Sequence, residues 1–304
     1  MIDLQDFHTN AFSQRGEDGV IEKIFGTLGV KSGSFCEFGA WDGKHLSNTF
    51  NLYQKGWTGW YIEGDKTRFR DLVANVTNPR VERICAWVTV SGDNSLDKLL
   101  TNSNLYNEGG VRSIDLLSID IDSDDLAIWR SIKDFRPVVV VIEYNPTIPF
   151  DVFFENPPGD NKGNSARSIY EYANSIGYNL IAITACNLIF IEKSRNQNYF
   201  KVINLYDPNI KGGPRYFFGY DGTLILGSAG RDAGYQVSEI MSVPWGGGVF
   251  PQPVVKPARV FARQLYYRVN FVASLASTAI RRPFSTTAKV IEWLSRGTHN
   301  RDLK

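Results

Sequence analysis

Two groups of residues have the types and spacing to do chemistry. The first lies in residues 34–65, which read as strand, glycine turn, helix, strand and acid. Phe35 to Phe38 is a short apolar strand. The turn Glu37-Phe-Gly39-Ala-Trp-Asp42-Gly43 follows, and Trp57 to Ile62 is a second strand closed by Glu63. A glycine turn at the C-terminal end of a first parallel strand lets backbone approach a ligand closely. An acid at the end of the next strand, about 20 residues on, can accept hydrogen bonds from two ribose hydroxyls. The second group is Asp120, Asp122, Glu143 and Asn145, at the ends of two further predicted strands.

The first group selects a cofactor. A dinucleotide site has the spacing G-x-G-x-x-G, with a helix N-terminus facing a pyrophosphate. Here the spacing is E-x-G-x-x-x-G, and Glu37 and Asp42 flank it with negative charge. Carboxylates repel a pyrophosphate but suit a cofactor that carries an ammonium and a sulfonium, which is S-adenosylmethionine. Glu37, Gly39, Asp42 and Gly43 are therefore expected at its methionine end, with Glu37 or Asp42 meeting the ammonium directly or through water. Glu63 is expected on the ribose. Ala86, followed by Trp87, ends the third strand where an adenine edge would lie. Asn48 follows the turn and can touch either cofactor or acceptor. His45 is expected to cap the turn or face solvent.

These residues need a parallel sheet to position them. Residues 12–28 read as a helix with Ser13 as N-cap and an apolar stripe at Val20, Ile21, Ile24, Phe25 and Leu28. Ser47 is placed to cap the helix after the glycine turn. Strands are expected at Val81–Trp87, Ile114–Ile121 and Val138–Glu143. The unbroken apolar run from Val138 to Ile142 marks a central strand covered on both faces. Strands spaced by helices imply a doubly wound α/β sheet. Residues 144–164 have no helical or strand period and follow strand five, on the edge where open α/β sheets bind ligands, so they are expected to form a substrate wall or lid. Ser165–Ile176 reads as a helix stopped by Gly177, and Tyr178–Thr184 with Leu188–Ile191 as a hairpin.

Composition sets limits. The chain has 304 residues and a formal charge of +1, enough for one elaborated domain and too neutral for a nucleic-acid binder as a whole. No apolar run of about 18 residues predicts a membrane span. The first ten residues do not resemble a signal peptide, and the three cysteines show neither metal spacing nor a disulfide pattern, so a cytoplasmic location is expected. The expected organisation is a catalytic domain over 1–235, a Gly/Pro-rich linker over 236–255 and a basic tail over 256–304. The tail holds ten Lys/Arg against two acids, a charge of +8, which leaves −7 on the rest. Phe261, Leu265, Val269, Val272, Leu275 and Ile280 share one helical face. A basic amphipathic helix of this kind can dock on the acidic body, form a homo-oligomer contact or lie peripherally on an anionic membrane.

Six pieces of the chain, FSQRGEDGVIEKIF (12–25), FCEFGAWDG (35–43), LSNT (46–49), GWTGWYIEGD (56–65), LLSIDIDSDD (116–125) and VVVIEYNP (139–146), together resemble the FkbM-like S-adenosylmethionine-dependent methyltransferases. They run in family order over roughly residues 12–192. The resemblance implies a class I Rossmann-like methyltransferase fold, with a mostly parallel seven-stranded sheet and an antiparallel last strand. It also implies methyl transfer, usually to oxygen and often on a sugar or natural product. It further places Ser13 and Gln14, in the SQ-x-GED piece, near the cofactor. For Glu17 a capping role at the helix start is an equal reading.

Two readings of the second group follow. In one, Asp120, Glu143 and Asn145 bind Mg²⁺, whose hard oxygen ligands these are, and the metal acidifies the acceptor hydroxyl. This resembles catechol O-methyltransferase, except that Tyr144 separates the last two ligands. In the other, Asp120 or Glu143 is a general base without a metal. Asn156-Pro-Pro-Gly159 is similar to the N/D-P-P-Y motif of amine methyltransferases, but it follows strand five and ends in glycine, so it reads as loop chemistry. The expectation is an O-methyltransferase acting on a carbohydrate or glycan-like hydroxyl. The alternative is a non-catalytic module that binds the same cofactor.

Overall fold

The computed structural model describes residues 1–207 except 122 and 147, residue 210, and the backbone of 215–218 and 224–227. The expected linker, the basic tail and Asp122 lie outside the described residues. After a short turn of 3-10 helix at Leu4–Asp6 the order is α1 (Glu17–Leu28), β1 (Ser34–Phe38), α2 (Phe50–Gln54), β2 (Thr58–Glu63), α3 (Lys66–Asn75) and β3 (Val81–Cys85). Then come α4 (Leu96–Thr101), α5 (Asn104–Asn107), β4 (Leu116–Ile119), α6 (Asp125–Ser131), β5 (Val139–Glu143), α7 (Ala166–Ser175), β6 (Tyr178–Ile183), β7 (Asn187–Glu192) and α8 (Lys193–Asn196). Two short strands, β8 (Arg215–Phe218) and β9 (Leu224–Gly227), pair with each other.

The helix ends follow from their residues. The apolar stripe predicts a helix from residue 12, but α1 begins at Glu17, because Gly16 has φ +102° and residues 11–13 donate their amide hydrogens to Asp18 Oδ2 instead of continuing a helix. Ser13 still serves the helix start, since its Oγ accepts from the Asp18 amide at 3.0 Å. Ser47 acts similarly for α2, with its Oγ accepting from the amides of Thr49 and Phe50. Asp65 caps α3, and Ser165 caps α7, which stops before Gly177.

The seven-stranded sheet has the order β3-β2-β1-β4-β5-β7-β6. All neighbours are parallel except at β7, which runs antiparallel to β5 and β6. Alternating side chains cover its two faces. Cys36, Phe38, Trp60, Ile62, Leu117, Ile119, Val140 and Ile142 pack with apolar residues of α4, α6 and α7. Phe35, Tyr61, Leu116, Val139 and Val141 pack with those of α1, α2 and α3. This is the doubly wound, mostly parallel α/β sheet expected from the sequence, with its antiparallel strand near one edge. Strand order reverses between β1 and β4, and the crevice beyond the C-terminal ends of two such strands is where open α/β sheets bind ligands.

Candidate functional site

The switch point is very tight. Gly39, with φ +74°, follows β1, and a Cβ built on it would lie 1.7 Å from the Asp120 carbonyl oxygen beyond β4. Only glycine lets the two strand ends meet here. β4 is shorter than expected because Asp125, in the first turn of α6, accepts the amide hydrogens of Ile121 and Ser123 and bends the chain away at Asp120.

Glu63 links the turn to β2. Its Oε2 accepts from the Trp41 amide at 2.7 Å and its Oε1 from the Asp65 amide at 2.7 Å. A carboxylate has about four lone-pair directions, so two remain for ribose hydroxyls. Ala86 donates its amide hydrogen to the Glu63 carbonyl at 3.1 Å. Trp87, two-thirds exposed, lies with its ring on Gly64, where an added Cβ would come within 2.2 Å of the indole. β3 therefore ends at Cys85, and Trp87 stands at the rim instead of in the sheet.

The remaining turn residues divide into two sets. Glu37 is buried, and its carboxylate accepts from Ser47 Oγ, Thr49 Oγ1 and the Asn48 amide. Burial pushes its pKa up, against the pull of those hydrogen bonds. It thus braces residues 47–49 beside the turn. Asp42 Oδ1 accepts from the amides of Lys44 and His45, which closes the turn. His45 is exposed. Gly43 is buried against Leu72 of α3, a packing role.

Asn48 is the turn-side group best placed to meet a ligand. Its Nδ2 donates to Ser118 Oγ at 3.0 Å, while its buried Oδ1 has no partner. An unpaired buried acceptor calls for a donor. The cofactor's ammonium and ribose hydroxyls are donors, so Asn48, the remaining lone pairs of Glu63 and the Gly39 cradle fit S-adenosylmethionine.

Beside the turn, a row of residues runs across four strands. β4 pairs with β5 up to Ile119 and Ile142, so Asp120 and Glu143 stand level one residue further on. Glu143 pairs with Asn187 at the start of β7. Gly39, Asp120, Glu143 and Asn187 thus form a line, neighbouring strands being about 4.8 Å apart. The Cys186 thiol lies among these charges. Burial pushes its pKa up, and Glu17, Glu143 and Asp120 push it further. Glu17 is fully buried, and its Oε1 accepts from Thr184 Oγ1 at 2.6 Å and Asn187 Nδ2 at 2.9 Å. Its Oε2 accepts from the Arg15 amide, so it ties the turn before α1 to the hairpin instead of capping the helix. Gln14 Oε1 accepts from the Cys186 thiol, so Gln14 faces the hairpin, whereas Ser13 is committed to Asp18 and Asn10. Asn187 and Thr184 were missed in the sequence, where they look like ordinary hairpin residues.

Asn145 turns its amide nitrogen to the Lys162 carbonyl, at 2.7 Å, inside the loop after β5. Among the described residues no group of three or more His, Cys, Asp or Glu gathers as a metal site would. The loop itself is clasped to the β4–α6 connection. Asn156 donates to Asp124 Oδ1, Asn164 Nδ2 donates to the Ser123 carbonyl, and Arg130 forms a two-pronged ion pair with Glu155. Asn156 is thus a loop fastener. Among the described residues no helix is long and apolar enough to cross a membrane.

No protein-family model matches the sequence, and no curated protein matches it. Solved structures with some likeness include M. capricolum TrmK in complex with S-adenosylhomocysteine, at 10% identity and TM-score 0.35, covering 56% of this chain and 67% of that one. A TehB-like S-adenosylmethionine-dependent methyltransferase from Corynebacterium glutamicum has 12% identity and TM-score 0.36, covering 56% and 86%. An S-adenosylmethionine-dependent methyltransferase from Clostridium acetobutylicum has 12% identity and TM-score 0.37, covering 58% and 89%. Similarity this low carries nothing about substrate.

Proposed function

We propose that the protein is an S-adenosylmethionine-dependent O-methyltransferase of FkbM-like type, and that its acceptor is a hydroxyl of a carbohydrate or glycan. The observation that carries this reading is the level row of Gly39, Asp120 and Glu143, which sets two carboxylates beside the cofactor turn. The bound cofactor supplies an electrophilic methyl on a sulfonium. Glu63 and Asn48 hold the nucleoside and amino-acid ends. The row positions the acceptor oxygen, and positioning alone can remove much of the barrier to an in-line displacement. Asp120 or Glu143 takes the hydroxyl proton as the new bond forms, because a sugar hydroxyl is a weak acid. The loop over 145–164 walls the acceptor side and limits water.

The test is turnover of labelled S-adenosylmethionine with a carbohydrate panel, with and without Mg²⁺ or EDTA. Asp120→Asn or Glu143→Gln should lower turnover at least about a hundredfold, in the range of general-base losses, while S-adenosylhomocysteine affinity stays within about twofold. Full activity in both variants would remove the catalytic assignment. A strict Mg²⁺ requirement would favour the metal reading.

A further inference from the structure

The row at the sheet edge does not stop at the two carboxylates. Its next member, Asn187, sits in register with Glu143 across the β5–β7 pair. Directly paired residues on antiparallel strands project to the same face with Cβ atoms about 5 Å apart. The orientation of the Asn187 amide is set by its partner. A carboxylate only accepts, so the nitrogen must face Glu17, where Nδ2 lies 2.9 Å from Oε1. Glu17 is itself immobilised by Thr184 and the Arg15 amide. The Asn187 oxygen therefore points away from Glu17. It is buried, in a residue only 2% exposed, and has no hydrogen-bond partner.

A buried carbonyl oxygen held in this way selects its ligand. It needs a donor, which excludes phosphate and carboxylate groups and admits hydroxyls. Resting on the methyl-transfer reading above, we infer that Asn187 orients a polyhydroxylated acceptor. Its Oδ1 accepts the hydrogen of a second hydroxyl on the same ring, while Glu143 faces the hydroxyl that is methylated. As cross-strand neighbours, the two residues can meet two hydroxyls of one ring. Glu17 is the positioning residue that keeps the amide in this orientation. A ring with a single hydroxyl leaves the Asn187 oxygen unpaired in the complex and is discriminated against.

The experiment loads the full chain with S-adenosylhomocysteine. The complex is then titrated with the methyl α-pyranosides of glucose, galactose, mannose and rhamnose, their monodeoxy analogues, and cyclohexanol. At least one glycoside should bind, and cyclohexanol should not. Asn187→Ala should weaken the glycoside about tenfold, the size of one lost hydrogen bond, with homocysteine-nucleoside affinity unchanged. One monodeoxy analogue should lose affinity for the wild type and lose nothing further with Asn187→Ala, a pattern that a general loosening of the hairpin would not produce. Asn187→Ser provides the same comparison should the alanine variant fold poorly. Equal affinity in wild type and both variants would assign the oxygen to an internal water and overturn the inference. So would the absence of glycoside binding to the loaded protein. Failure of S-adenosylhomocysteine itself to bind would be visible first, as failure of the cofactor reading.

Discussion

Glu63 Oε2 accepts the amide hydrogen of Trp41 at 2.7 Å, so the acid that closes β2 grips the glycine turn that closes β1. One side chain thereby shapes the turn and keeps lone pairs for a ribose. Glu63→Ala should lower S-adenosylhomocysteine affinity at least about tenfold, the low end for hydrogen bonds to a charged group. Glu63→Gln keeps one acceptor oxygen and should lose less. Calorimetric titration of both variants checks the order.

Gly39→Ala should be far more damaging than its size suggests. The new methyl group would meet the Asp120 carbonyl, and φ +74° is itself strained for alanine. The backbone strain alone costs roughly 1–3 kcal/mol. Chemical denaturation should show at least that loss, together with loss of S-adenosylhomocysteine binding. A near-neutral variant would mean that the strand ends do not meet as described.

The Glu37 carboxyl gives stability a definite pH dependence. Burial raises its pKa in the folded protein above the ordinary glutamate value of about 4.3. The folded state then holds this proton where the unfolded chain has lost it. Glu37 favours folding below the unfolded pKa, and that contribution is lost as pH rises through the folded one. Glu37→Gln has no proton to lose. The stability difference, wild type minus variant, should therefore fall as pH rises above about 4, the ordinary glutamate value. A difference that rises with pH would contradict the sign.

Asp18 organises residues 10–16 through three amide hydrogen bonds to one oxygen. Asp18→Ala should destabilise the protein by about 2 kcal/mol or more, since part-buried donors lose their acceptor. Thermal melts with and without S-adenosylhomocysteine measure this.

Much of the fold was legible because its signals are local. The apolar run from Val138 to Ile142 marked a strand buried on both faces, and Gly177 marked a helix stop. Glu63 was legible as the strand-end acid, although its grip on Trp41 was not. What was not legible is polar contact between side chains and backbone that no apolar period or turn signal encodes. Glu37 was legible as a charge flanking the turn, but its partners were not. The hydroxyls that engage it, on Ser47 and Thr49, lie beyond that turn and only folding brings them back. Glu17 gave no sign that it would reach Thr184 and Asn187, about 170 residues away. Periodicity overran the start of α1 because Asp18 draws the preceding amides out of helical geometry.

The central claim is that the switch point binds S-adenosylmethionine. It is tested most directly by calorimetric titration of the full chain with S-adenosylhomocysteine, with NAD as control. The account predicts micromolar binding of the homocysteine nucleoside, unaffected by EDTA and lost in Glu63→Ala, with no heat from NAD. Binding of NAD in its place, or no binding of either, would contradict it.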